Sequence, residues 1–291
     1  MTPVLTIFTA SVRLDLARLW LACIERAFPR DEVVVEIFDD SKDGVLTPGL
    51  LPRATVLRPG PGRRDFQEAY NDALGRAATP WLAFFDTDAY AVSREVWPRV
   101  RERLRADVAA VLCAPRTSTE GHDRVALVLN VAAYRAALAE VPDGFLPRVE
   151  REDPAGRPGH WRGHDTGDLL TRAGAERGGA VDILPLEAEG TFVRFDALTN
   201  THLLAEWSGS GPLLALAKEH AYFREGCLGN LALRGVYRRL FPGGPPFSFR
   251  VSSGAVWRAM AARGLGSLRD AVSRARRMRV GAKRLETFLR T

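Results

Sequence analysis

The sequence predicts an α/β fold: a mixed, mainly parallel sheet with helices on both faces, followed by a C-terminal helical appendage. Three observations carry that expectation. Short apolar, β-branched runs alternate with segments of helical period through the first two hundred residues. Several of those runs stop at small polar or acidic residues. Beyond about residue 205 the strand-like runs cease and the pattern becomes helical and basic.

Each element follows from its local pattern. VLTIFT (4–9) is apolar and β-branched and reads as a first, buried strand. Apolar residues at helical spacing (Leu16, Leu19, Trp20, Cys23, Ile24, Ala27) give a helix over 14–28, ended by Pro29. VVVEIF (33–38) is a second strand, running into Asp39, Asp40 and Ser41, and 55–58 is a short third before the turn RPGPG. A helix over 65–78, a strand over 81–85 and a helix over 93–105 follow. VAAVLCA (108–114) and VALVL (125–129) extend the sheet, and a helix covers 130–138. A Pro/Gly-rich loop spans 142–163, a helix 165–178 and a last strand 181–184. The expected division is 1–205 for the α/β domain and 206–291 for the helical, basic extension, interrupted by PGGPPFSF.

Composition narrows the function classes. The 291 residues are 46% apolar, ordinary for a chain with a substantial core, and no window approaches the ~18 apolar residues of a membrane span. MTPVLTIFTAS has neither a basic leader nor a long apolar region and reads as strand rather than signal peptide. Three scattered cysteines (Cys23, Cys113, Cys227) fit a cytoplasmic location and buried packing roles rather than a disulfide or zinc framework. The formal net charge of +6 is concentrated at the end of the chain, where nine cationic residues face only Asp270 and Glu286 over the last thirty positions. The remainder is close to neutral, which argues against a nucleic-acid-binding core. The basic segment reads as a solvated helical face or as peripheral contact with an anionic membrane at the inner face of the cell. Interleaved aromatics that would stack bases are missing.

Open α/β sheets bind ligands beyond the carboxyl ends of their strands. Three ends here are polar: Thr9–Ala10–Ser11, Asp39–Asp40–Ser41 and Asp86–Thr87–Asp88. The D-x-D triplet occurs once, a frequency chance alone produces, so its place at a strand end carries the case. The arrangement suggests a nucleotide held by the first two ends, its diphosphate bridged by Mn²⁺ or Mg²⁺ at Asp86 and Asp88, since hard cations prefer carboxylate and phosphate oxygens. The competing reading is that such acids are solvated turn formers.

The order of motifs, VVVEIFDDSKDG, then RPGPGRRDFQEAYNDALGRAATPWLAFFDTDAY, then HDTGDLLTRAGAERGGAVDILP, resembles the GT-A glycosyltransferases of the family-2 type over roughly residues 3–205. That resemblance implies a Rossmann-like GT-A fold and a transferase, with inversion, of the hexosyltransferase class. It implies a UDP-, GDP- or TDP-sugar donor, a glycan or lipid-linked acceptor and a divalent metal. Thr9 and Ser11 would then lie near the nucleotide, Asp39 or Asp40 would bind base or ribose, and Asn71 would shape the donor pocket. Asp86 and Asp88 would be the metal motif, Asp88 the more direct ligand. Asp165 falls where the family places the carboxylate that takes the proton from the acceptor hydroxyl.

The chain departs from the family at His164–Asp165, where the family has Glu–Asp, and Gly167 adds a residue before Asp168. The base is therefore Asp165 or, with a shifted register, Asp168, and His164 tunes that carboxylate, binds phosphate or lines the pocket. His202, after the last core strand, is a candidate third metal ligand or an ordinary structural histidine. Two other functions share these features. A non-catalytic GT-A-like binding module is left open by the His164 substitution. A sugar-phosphate nucleotidyltransferase would carry a Gly-rich basic loop after the first strand, and TASVRLDLARLW has none.

Overall fold

The computed structural model describes residues 2–41, 43–58, 66–113, 126–141, 144–145, 148–151, 161–164, 173–174, 176–177, 179–262 and 264–291. Seven strands form the main sheet in the order β10-β6-β7-β4-β1-β2-β3. They are β1 (Leu5–Ser11), β2 (Val33–Asp39), β3 (Thr55–Leu57), β4 (Trp81–Phe85), β6 (Val108–Leu112), β7 (Ala126–Asn130) and β10 (Ala180–Ile183). Only β7 runs against its neighbours β4 and β6; the other pairings are parallel. All seven match expected strands to within three residues, and the fold is the mixed, mainly parallel α/β class that the sequence predicts.

The central strands are buried on both faces, as near-continuous apolar composition requires. Alternation sorts their side chains. Leu5, Ile7, Trp81, Ala83 and Phe85 enter one core cluster, while Phe8, Leu82 and Phe84 enter the other. On the second face lie α2 (Phe66–Arg76) and α4 (Val131–Leu138), with Tyr70 stacked 4.6 Å from Phe84. On the first lies α1 (Leu14–Ala27), whose six expected apolar positions are all buried. It stops at Phe28, extended ahead of Pro29, because proline disfavours helical backbone in the residue before it. A short α3 (Val96–Arg101) packs Val96, Trp97 and Val100 into the same cluster.

The C-terminal helices continue that face. They are α5 (Leu198–Trp207), α6 (Ser210–Glu219), α7 (Ala221–Leu240), α8 (Ser253–Ala261) and α9 (Leu265–Arg290). Leu213, Cys227, Leu233, Leu285 and Phe288 share one cluster with Leu16, Trp20 and Ile24 of α1. The three cysteines are buried and free, and burial pushes their thiols up, away from reactive thiolate.

Two small sheets were not expected. β5 (Ala89–Ala91) pairs antiparallel with β11 (Phe192–Arg194), and β8 (Arg148–Arg151) with β9 (Trp161–His164), the latter inside the stretch read as loop. Of the helix expected over 165–178, residues 173, 174, 176 and 177 are described, the first three as helix and 177 as a turn.

Candidate functional site

Because β4, β1 and β2 are adjacent and parallel, their carboxyl ends open on one edge. Ser11 pairs in register with Asp39, and Phe8 with Phe84, two residues short of Asp86. The three polar strand ends are thus neighbours in space.

At the β1 end Thr9 is fully buried, and its hydroxyl has no hydrogen-bond partner among the described residues. A buried hydroxyl left so costs free energy unless a ligand or water meets it. Ser11 closes a local turn: its Oγ donates to the Arg13 carbonyl (3.1 Å) and accepts from the Arg13 amide (3.3 Å). At the β2 end Asp39 is buried and organises its own loop. Oδ1 accepts from the Ser41 amide (3.1 Å) and hydroxyl (2.5 Å), and Oδ2 from the Leu46 amide (3.0 Å). Asp40, the next residue, instead lines an open cleft.

At the β4 end the Ala89 amide donates to the Asp86 carbonyl (3.0 Å), turning the chain into β5. The Phe195 amide, just past β11, donates to the Asp88 carbonyl (3.0 Å), so a second segment fixes this turn. Both carboxylates are half-buried, and the Tyr70 hydroxyl of α2 approaches Asp86 Oδ1 at 3.4 Å. Two carboxylates flanking one residue on a braced turn are a hard-oxygen set that fits Mn²⁺ or Mg²⁺, with other positions left to phosphate oxygens and water. Asn71, one residue past Tyr70, accepts from the Phe145 amide (2.8 Å) and pins the 144–145 turn beneath the ring cluster of Tyr70, Phe84 and Phe145.

His202, read from the sequence as a third ligand or a structural histidine, lies on α5. Among the described residues no three His, Cys, Asp or Glu side chains are grouped to hold a metal. His202 sits on α5 facing Arg13 and Asp15, with Nε2 3.5 Å from Glu206. Burial, then the Arg13 charge, push its pKa down to about 4, so the imidazole is neutral at neutral pH. His164 ends β9, described by its backbone alone, and Asp165 and Asp168 lie outside the described residues.

The sequence reading missed a buried network behind the β1 end. Arg13 and Asp15 are each 1% exposed. The Arg13 guanidinium donates to both Asp15 oxygens (3.0 and 2.6 Å) and to Asn230 Oδ1 on α7 (2.6 Å), and lies 4.8 Å from the Phe247 ring centre. Asp15 also accepts from the Ser248 amide (2.9 Å) and the Leu16 amide (3.0 Å). Burial alone would raise its pKa, but the Arg13 charge and these donors hold it below the usual carboxylate range. The network fastens the loop after β1 to α7 and to the 245–249 segment. Above it opens a cleft of about 1060 Å³, bounded by residues 12–15, by Asp40–Val45, by one face of α5 and by the 245–252 segment.

No family model and no curated protein matches the chain. Among solved structures, a mannosyltransferase from Pyrobaculum calidifontis in complex with GDP-Man and Mn²⁺ is 17% identical, with 98% of this chain and 85% of that one covered and a TM-score of 0.47. TarS of S. aureus is 11% identical over 99% and 90% of the two chains, with a TM-score of 0.41. A 4-diphosphocytidyl-2C-methyl-D-erythritol synthase from Anaerococcus prevotii is 12% identical over 62% and 88%, also at 0.41. At TM-scores below 0.5 these likenesses assign no activity.

Proposed function

We propose that the chain is a metal-dependent glycosyltransferase that moves a sugar from a nucleoside-diphosphate donor to an acceptor hydroxyl, with inversion. The observation that carries the reading is the adjacency of the polar ends of β2, β1 and β4 on one sheet edge. Thr9 offers a buried hydroxyl to the nucleotide, Asp40 stands where base or ribose is met, and Asp39 holds the loop that carries Asp40. Asp86 and Asp88 would hold Mn²⁺ or Mg²⁺, which when bound offsets the charge of a departing diphosphate. Tyr70 and Asn71 brace this end from α2. Asp165 is assigned the acceptor proton, beside His164.

The acceptor is read as a glycan or a lipid-linked sugar, met at the cytoplasmic face of a membrane. Among the described residues no helix is long and apolar enough to cross one. Instead α9 exposes Arg269, Arg276, Arg279 and Lys283 together with Val272 and Val280, a surface suited to anionic headgroups. The test is turnover: a panel of UDP-, GDP- and TDP-sugars should show Mn²⁺-stimulated sugar release that Asp86→Ala/Asp88→Ala abolishes. Release that survives the double substitution contradicts the assignment.

A further inference from the structure

α1 runs from the ligand edge toward the amino ends of β2 and β3, and a pocket of about 440 Å³ opens where it stops. Arg13 caps the helix at the ligand edge, and Arg26 is thirteen residues further on, about 20 Å along the axis at 1.5 Å per residue. The pocket has the volume of a small-ligand site. Arg26, Arg30, Arg53 and Arg94 line it from three segments: the end of α1 with the residues after it, the turn ahead of β3, and the turn between β5 and α3. Leu240 and Phe241 at the end of α7 and Leu289 of α9 form the rest of its wall.

Four guanidinium groups thus share the pocket with one carboxylate, that of Glu25, 3.3 Å from Arg53. Arg26, Arg30 and Arg94 make no ion pair among the described residues. Asp31 and Glu95, next in sequence to two of them, are exposed and do not line the pocket. Just outside it the pattern is the opposite: Arg239 and Arg290 are both taken up by Glu286. The carboxyl end of α1 offsets roughly half an elementary charge, so most of the positive excess remains.

Surface arginines are ordinarily solvated and mobile, but Arg26 is a fixed part of this wall. Its Nε is closed off from solvent and has no hydrogen-bond partner among the described residues. Its guanidinium lies 5.6 Å from the ring centre of Phe288, and that of Arg18 lies 4.3 Å from the ring centre of Phe241. Aromatic side chains therefore hold cations in place where α1 meets the ends of α7 and α9. Planar donors arriving from three segments suit a tetrahedral anion, whose oxygens accept from several guanidinium groups at once.

We propose that this pocket binds a phosphate group, that of a soluble phosphoester or of an anionic lipid. Arg26, Arg30 and Arg94 supply the charge, and Leu240, Phe241 and Leu289 the apolar wall beside it. The site is separate from the donor site and stands whether or not the transferase reading holds.

Calorimetric titration of pyrophosphate into the full chain tests it, with EDTA present to remove metal-dependent diphosphate binding at Asp86 and Asp88. The wild type should bind, and Arg30→Gln/Arg94→Gln should weaken binding by at least about tenfold. Both side chains are exposed, so this variant should melt like the wild type, which thermal unfolding checks. Arg258→Gln/Arg277→Gln removes the same charge from exposed positions on α8 and α9 and should bind as the wild type does. Asp86→Ala/Asp88→Ala should also leave binding unchanged, so a failure here and a failed donor assay are separate results. Co-sedimentation with phosphatidylcholine vesicles, with and without phosphatidic acid, distinguishes the sources. Sedimentation that needs phosphatidic acid and is lost in Arg30→Gln/Arg94→Gln assigns the lipid; sedimentation indifferent to that substitution assigns the soluble phosphoester. No pyrophosphate binding by the wild type, undiminished binding by Arg30→Gln/Arg94→Gln, or an equal loss in Arg258→Gln/Arg277→Gln overturns the site.

Discussion

The two ends of the ligand edge use the same residue type in opposite ways. At the β1–β2 end, Asp15 and Asp39 are buried, and their oxygens are taken up by Arg13, Ser248, Leu16, Ser41 and Leu46. At the β4 end, Asp86 and Asp88 are half-buried on a turn that backbone bonds to β11 and Phe195 brace. Acids of the first kind hold the architecture; acids of the second are positioned by it. The difference teaches that a carboxylate at a strand end is informative only once its partners are known, and it predicts opposite responses to mutation.

The largest effect expected is on turnover. Asp86→Ala/Asp88→Ala should lower donor-sugar release by at least ~10³-fold, the scale of losing several kcal/mol of charge stabilisation, with little change in melting temperature. Next comes stability. Arg13→Ala should cost about 3–5 kcal/mol, because it leaves Asp15 buried and uncompensated. Denaturant unfolding reads that cost, and a loss below 1 kcal/mol would erase the contrast between the two ends. Asn71→Ala should cost about 1–3 kcal/mol by stranding the Phe145 amide.

Acid sensitivity sharpens the same contrast. His202 stays neutral in the folded chain down to about pH 4, but its ordinary value is 6.5. Between those values the unfolded state binds more protons, so stability rises with pH, is complete above about 6.5 and is lost as pH falls toward 4. Asp15, held below its ordinary 3.8, extends the loss further into acid. Melting temperature measured across this range should fall less steeply in His202→Gln. The smallest effect belongs to the surface: Arg290→Ala, which removes the exposed partner of Glu286, should cost under ~1 kcal/mol.

How much was legible follows from where the information lies in the chain. The central strands β1, β4, β6 and β7 declared themselves by composition because both their faces are buried. β5 and β11 did not, since three residues such as AYA or FVR carry no period and pair only through each other. The polar strand ends were legible because the parallel sheet makes sequence position and spatial edge coincide. Arg13 and Asp15 were not: locally they resemble a solvated helix start, and their partners Asn230 and Ser248 lie 217 and 233 residues away. For His202 the sequence left a metal ligand or a structural histidine open, and what it could not show was the burial of the ring on α5 beside the charge of Arg13. PGGPPFSF read as a mere break, yet Ser248 within it anchors Asp15, and Pro245 and Pro246 line the cleft.

The central claim is that Asp86 and Asp88 form a metal–diphosphate site. Calorimetric titration of UDP, GDP and TDP into the wild-type chain, with and without Mn²⁺, tests it most directly. The account predicts that one nucleotide binds and that its affinity rises by at least about tenfold with Mn²⁺. It also predicts that Asp86→Ala/Asp88→Ala removes the metal-dependent part alone. Nucleotide affinity that is indifferent to Mn²⁺, or to the double substitution, would contradict it.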